Sequence, residues 1–290
     1  MRPLRNRIHA AALRQKIPQS VIEKDYAISY ILAGISSQDI LNESLIFKGG
    51  TALKKIFFGD YRFSEDLDFS AKDSSSLTGN KLEDVLQEAV LESSRLISEY
   101  GDFKIEIERY VEREPHPKGQ EAFTIRIKFP WYPGPLCRIK IEITYDEPVI
   151  MKPLKQKLIH GYEETLNVNV YCYCLEEIIA EKLRTLLQTH QKLITRGWNR
   201  PRARDYYDLW KILTEFNHSL NFKNIICLLQ AKCKHRNVQY VSLNDFFSDE
   251  LVFEANKHWD SNLRPFVKDL PECQYVLDQL RVLLNALFYV

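Results

Sequence analysis

The sequence predicts an α/β sheet domain followed by a mostly helical domain, and three observations carry this. Three segments alternate apolar and polar residues with period two: Phe103, Ile105 and Ile107; then Phe123, Ile125, Ile127 and Phe129; then Cys137, Ile139, Ile141 and Ile143. That alternation marks half-buried strands. A Gly49-Gly50 pair separates a short apolar run from a helical pattern, which reads as strand, turn and helix. From about residue 174 the apolar spacing stays helical to the end, interrupted by Ser, Asn and Pro. The expected division is residues 1–165, an α/β domain with N-terminal helices, and residues 166–290, a helical domain.

The elements follow in order. Residues 19–34 carry Val21, Ile22, Ala27, Ile28 and Ile31 at near-helical spacing, with Gly34 as the expected stop. Leu45-Ile46-Phe47 is a short buried strand, and Lys48-Gly49-Gly50 turns the chain. The next helix is expected to start at Thr51 as N-cap, to face inward through Leu53, Ile56 and Phe57, and to end at Gly59. A second strand is expected over 64–69, with Leu67 and Phe69 on one side and Asp66 and Asp68 on the other. The Ser-rich stretch 72–80 reads as a loop and 81–99 as an amphipathic helix through Leu82, Val85, Leu86, Ala89, Val90 and Ile97. The turn between the last two alternating strands is Pro130-Trp131-Tyr132-Pro133-Gly134-Pro135.

Composition bounds the function. With 290 residues, 45% hydrophobic and 27% charged, the chain can bury a core and is not globally disordered. The formal net charge is +1, so any attraction to nucleic acid is local. No apolar run approaches the roughly 18 residues that span a bilayer. The basic N-terminus lacks the apolar core of a signal peptide. The expectation is a cytoplasmic protein with no membrane partner. Six cysteines form no CxxC pair, and Cys227, Cys233 and His235 lack zinc-ligand spacing, so reduced thiols are expected.

The strongest chemical signal is Gly49-Gly50-Thr51 followed by Ser64-Glu65-Asp66-Leu67-Asp68. Residues i and i+2 of a strand point the same way, so Asp66 and Asp68 present adjacent carboxylates. Like charges so placed disfavour each other unless a cation sits between them. Oxygen-only donors suit Mg²⁺ or Mn²⁺, with waters and phosphates completing the shell. The glycines let backbone approach a ligand, and the start of the following helix offers free N–H groups to phosphate. An ordinary turn beside two solvent-facing acids shares the Asp-x-Asp pattern; the combined spacing is what separates them.

The stretch Phe47-Lys48-Gly49-Gly50-Thr51-Ala52-Leu53 through Arg62-Phe63-Ser64-Glu65-Asp66-Leu67-Asp68-Phe69 resembles the first motif of the AbiEii-type nucleotidyltransferase toxins, members of the polymerase-β-like superfamily. Val21-Ile22-Glu23-Lys24-Asp25-Tyr26 is similar to their N-terminal helix. Leu175 to Leu183 and Arg202 to Leu209 resemble their later motifs. Four blocks in the right order, from about residue 20 to 215, are more specific than any one. The resemblance implies a polymerase-β-like sheet domain, a divalent metal and a nucleoside triphosphate as substrate. Many members of the superfamily have Gly-Ser at the turn; here a hydroxyl for phosphate has to come from Thr51 or Ser64, with Gly49, Gly50 and Arg62 completing the cradle.

Independently, Leu175, Ile178, Ile179, Leu183, Leu186 and Leu187 form the inner stripe of one helix, and Lys182 falls within it. An inward lysine needs an anion or must snorkel to water. The resemblance implies that Lys182 contacts the triphosphate. On the next helix Asp205 shares the side of Leu209, Leu213 and Phe216; a salt bridge to Lys182 is one reading, and a role at the nucleotide or acceptor is the one the resemblance implies. Asp208 is the less expected partner, since it is also placed to hold Arg204. From Lys182 to Arg204 inclusive there are seven Lys or Arg residues with Trp198 among them, a track for RNA phosphates or a solvated basic loop. Glu142, on the non-apolar face of the third alternating strand, is the expected third carboxylate, as metal ligand or as base; Glu106 and Glu108 are its rivals.

The expected function is a metal-dependent nucleotidyltransferase toxin acting on RNA, with tRNA the implied acceptor and a cognate antitoxin the implied partner, in toxin–antitoxin or phage-defence biology. The competing readings are transfer to a protein or to a small molecule such as an antibiotic, and a non-catalytic nucleotide- or RNA-binding module.

Overall fold

The computed structural model describes residues 2–72, 77–110, 119–197 and 199–288. It divides into two compact units, residues 1–173 and 174–290. Strand pairing extends the first unit past the expected boundary at 165, because residues 169–172 complete its sheet.

The first unit opens with α1 (Leu4–Gln15), α2 (Gln19–Ser37) and α3 (Asp39–Ser44). Then come β1 (Leu45–Lys48), α4 (Gly49–Ala52), β2 (Leu67–Ala71) and α5 (Gly79–Ile97). The remaining strands are β3 (Lys104–Tyr110), β4 (Gln120–Lys128), β5 (Cys137–Thr144), β6 (Leu154–Lys157) and β7 (Asn169–Cys172). The sheet runs β3-β4-β5-β2-β1-β7-β6. The three alternating segments are β3, β4 and β5, an antiparallel run whose inward Ile125, Ile127, Ile139, Ile141 and Ile143 are fully buried. β6 and β7 are four residues each, too short for a periodicity signal.

α2 packs on both α5 and the sheet, which is why 14 of its 19 residues are buried. It continues through Gly34 rather than stopping there. A Cβ at Gly34 would come within 2.1 Å of Ala89 O and Ser93 Oγ on α5, so this glycine permits a close helix crossing. The helix after the glycine turn also differs from expectation. It begins at Gly49, with Lys48 at its N-cap, and Thr51 lies inside it. After Ala52 it widens into a π-helical turn, Leu53–Phe57, closed by a 2.9 Å bond from Phe58 N to Leu53 O.

The second unit is helical: α6 (Leu175–Arg196), α7 (Ala203–Phe216), α8 (Phe222–Arg236), α9 (Asp249–Leu263) and α10 (Cys273–Phe288). The predicted stripe of α6 is buried throughout. Gly197, with φ of 73°, terminates α6, and Asn221 and Ser248 cap α8 and α9 through their side chains. Among the described residues, no helix is long and apolar enough to cross a membrane.

Candidate active site

The site forms where β1 hands over to α4 beside β2. β1 and β2 are antiparallel, with Lys48 opposite Asp68. The turn at Gly49 therefore lies directly against the acidic strand. Gly49 has φ of 78°, and a Cβ there would stand 2.4 Å from Asp68 Oδ2. Glycine is required at this position on both conformation and space. A Cβ at Gly50 would meet Arg62 Nη2 at 2.3 Å and Ser64 Oγ at 3.1 Å. The turn is thus moulded on Asp68, Arg62 and Ser64, all of them expected site residues.

Thr51 is buried, and its hydroxyl donates to the backbone carbonyl of Asp66. It ties α4 to the acidic segment instead of capping the helix. Arg62 is buried, donating from Nη1 to Phe63 O at 3.2 Å. Lys24 on α2 reaches Glu65 at 2.6 Å, bracing the same segment from outside.

β2 begins at Leu67, so Asp66 precedes the strand rather than lying within the expected 64–69. Asp66 is exposed and Asp68 half-buried, while Leu67 and Phe69 face the core. β2 and β5 are parallel, with Asp68 opposite Glu142. Because Ile141 and Ile143 point into the core, Glu142 shares the face of Asp68, one strand spacing of about 4.8 Å away. The rivals lose on topology: Glu106 and Glu108 lie on edge strand β3, three spacings from β2, and Glu108 pairs with Arg126 at 2.5 Å.

Among the described residues, no group of three or more His, Cys, Asp or Glu side chains is arranged to hold a metal ion. Glu142 is engaged by Lys140. The residues that could hold an ion here are Asp66 and Asp68, with Glu142 opposite Asp68 on the next strand. That fits Mg²⁺, which binds through one or two carboxylates and completes its shell with waters and substrate phosphates. Cys227, Cys233 and His235 form no such group either, and all six cysteines are free thiols, five of them buried.

In the second unit the inward lysine is confirmed: the Lys182 side chain is only 11% exposed. It does not snorkel to water. Its ammonium lies 2.8 Å from Asp205 Oδ1 and 2.7 Å from Asp208 Oδ2. Asp208, the less expected partner, is fully buried and is the deeper of the two. Arg202 approaches Asp205 at 3.5 Å, and burial pushes the pKa of its guanidinium down against the pull of that carboxylate. Trp198 lies outside the described residues.

Two features escaped the sequence. Lys232 on α8, fully buried, pairs with Glu177 at 3.2 Å and Glu181 at 3.6 Å. Lys55, in the π-helical turn, is 1% exposed and pairs with Asp25 at 2.7 Å. The signal was present for Asp25, an acid between Ile22 and Ile28 on an otherwise apolar helix face.

The family model described as nucleotidyl transferase AbiEii toxin, type IV toxin–antitoxin system, matches residues 30–284. It extends past the last motif block at about 215 and takes in the C-terminal helices. No curated protein matches the sequence. Among solved structures, the nucleotidyltransferase toxin MenT4 of Mycobacterium tuberculosis H37Rv superposes with a TM-score of 0.61 at 20% identity, over 94% of this chain and 85% of that one. At that identity the likeness concerns the fold, a mixed α/β architecture. A family match over most of the chain, on a chain whose glycine turn is moulded on its paired acids, places this protein in the AbiEii nucleotidyltransferase toxin family.

Proposed function

We propose that this nucleotidyltransferase moves a nucleotide from a nucleoside triphosphate onto RNA, with the 3′ end of tRNA as the acceptor that the family resemblance implies. The observation that carries the catalytic part is the contact of Gly49 with Asp68, with Glu142 in register beside it. An acceptor hydroxyl attacks the α-phosphorus in line. A new oxygen–phosphorus bond forms, the bond to the bridging oxygen breaks, and pyrophosphate leaves. A divalent ion on Asp66 and Asp68, when bound, supplies charge neutralisation for the attacking and leaving oxygens. Backbone N–H groups at Gly50 and Thr51 would take the phosphates, with Arg62 and Ser64, which lie against Gly50, completing the cradle. Glu142, opposite Asp68, is the third carboxylate, as a further ligand of the ion or as the base that takes the proton of the attacking hydroxyl. For Lys182, with Asp205, the resemblance implies charge neutralisation as pyrophosphate departs. The antitoxin partner follows from the type IV system named by the family.

The test is incubation with each α-labelled triphosphate in turn, with and without tRNA and total protein, in Mg²⁺, in Mn²⁺ and in chelator. Label in tRNA that needs the metal and drops at least a thousandfold in Asp68→Ala supports the reading. Label in protein or a small molecule, with none in RNA, would assign a different acceptor. Transfer unaffected by Asp68→Ala would overturn the catalytic assignment.

A further inference from the structure

The glycine turn is followed without a break by the π-helical turn, so residues 49–57 form one continuous helical segment. π-Turns insert an extra residue into a helix at a cost in stability and occur frequently at functional sites. Something must hold this one. Its middle residue, Lys55, is anchored at both ends. The backbone carbonyl accepts a 2.7 Å bond from Ile159 N. The ammonium donates to Asp25 Oδ2 at 2.7 Å and to Ser29 Oγ at 3.0 Å, both on α2. Tyr162 completes the cluster by donating to Asp25 Oδ2 at 2.9 Å.

A surface ion pair in this place would contribute little; this one is 1% and 5% exposed. Two buried charges are an expensive way to pin a helix that apolar side chains could pin. The cluster also borders a small cavity of about 40 Å³, lined by Asp25, Lys54, Lys55, Gly59, His160 and Tyr162 among others. Asp25 Oδ1 and His160 Nδ1 are buried there with no hydrogen-bond partner. The anchor is thus polar and incompletely satisfied, unlike the packed core around it.

The geometry points to Lys55 and Asp25 as a positioning pair for the phosphate-binding turn: their ion pair sets the π-helical turn, and through it the placement of Gly49, Gly50 and Thr51 against the triphosphate. The inference rests on the proposed nucleotidyl transfer and deepens it. Burial pushes the Lys55 pKa down to about 8, against the pull of Asp25, with Lys54 adding to the drop. The groups facing Lys55 are Asp25 and Ser29 from α2, Tyr162 and His160 from the segment between β6 and β7, and Lys54 from its own turn. Below about pH 8 Lys55 carries its proton and faces Asp25 as a charged pair. Above it the ion pair is lost while the burial cost of the charge is relieved, so global stability rises between about pH 8 and 10.5 and the effect expected is on the placement of the turn.

The experiment measures labelled transfer by the full chain from pH 7 to 9.5, wild type against Lys55→Met, with KM determined separately for triphosphate and RNA acceptor. The expected result is a rise in triphosphate KM on the order of tenfold at pH 7 with the acceptor KM unchanged. The ratio of wild-type to variant kcat/KM then falls toward one as pH rises, and taking the ratio cancels the titration of groups that Lys55 does not touch. Should Lys55→Met fold poorly, Asp25→Asn/Lys55→Met removes both charges together and carries the same measurement. Equal triphosphate KM values, a pH-independent ratio, or a double variant with wild-type kinetics would overturn the pairing role. Asp68→Ala runs alongside: if it transfers label like wild type, the reaction itself is misassigned, which is a separate failure.

Discussion

The two charged clusters of this chain solve opposite problems. In the sheet unit, Asp66 and Asp68 are held by backbone: a glycine turn against one carboxylate and a threonine hydroxyl bonded to the carbonyl of the other. Their side chains lie on the exposed and half-buried face of the sheet. In the helical unit, Lys182 is held by side chains, between Asp205 and a fully buried Asp208. Carboxylates on the exposed and half-buried face of a sheet are within reach of a ligand. A site organised through ion pairs has most of its electrostatic potential satisfied within itself. The same substitution logic should therefore give catalytic loss in the first region and loss of stability in the second.

The largest effect is expected at Gly49→Ala. The new methyl would sit 2.4 Å from Asp68 Oδ2 on a residue at φ of 78°, so either the turn or the carboxylate must move. We expect transfer to fall more than a hundredfold with the thermal midpoint lowered by only a few degrees. Activity kinetics and a melting curve on the same preparation check this. A variant that keeps its rate would show that the contact between turn and acid is incidental.

The second effect separates the regions. Lys182→Met removes the ammonium that lies between Asp205 and the buried Asp208, and breaking a buried pair in this way costs about 3–5 kcal/mol. Denaturant unfolding should show that loss. Adding Asp208→Asn should recover part of it by removing one of the two carboxylates that faced the ammonium. If the double variant regains stability but transfer stays low, Lys182 acts on the reaction as the family resemblance implies. If transfer returns with stability, its role is the ion pair alone.

Much of this layout was legible in the sequence because it rests on short-range rules. Alternation located β3, β4 and β5, and the Gly-Gly pair located the turn. Lys182 announced itself by breaking an apolar stripe. What stayed hidden depends on partners distant in the chain. β6 and β7 are defined by pairing with each other and with β1, over too few residues to show a period. Gly34 looks like a helix stop until α5 is found against it. Asp208 and Asp205 cannot be ranked by helical spacing, because depth is set by the packing around α7. The bracing of the turn by Asp25 joins residues thirty positions apart.

The finest distinction concerns the third carboxylate, where the register makes a sharper statement than the sequence could. Glu106, Glu108 and Glu142 all occupy polar faces of alternating strands and were equivalent by pattern. Only Glu142 stands opposite Asp68; the other two lie on edge strand β3, three strand spacings from β2, or about 14 Å. A carboxylate at that distance neither shares an ion with Asp68 nor takes a proton from the same acceptor hydroxyl. Glu142→Gln should therefore lower kcat by tenfold or more, with a steeper dependence on metal concentration, whereas Glu106→Gln should leave both unchanged. Glu142 also pairs with Lys140, so Lys140→Met is the control: if it reproduces the loss seen in Glu142→Gln, the glutamate serves the sheet surface, and the reaction uses two carboxylates rather than three.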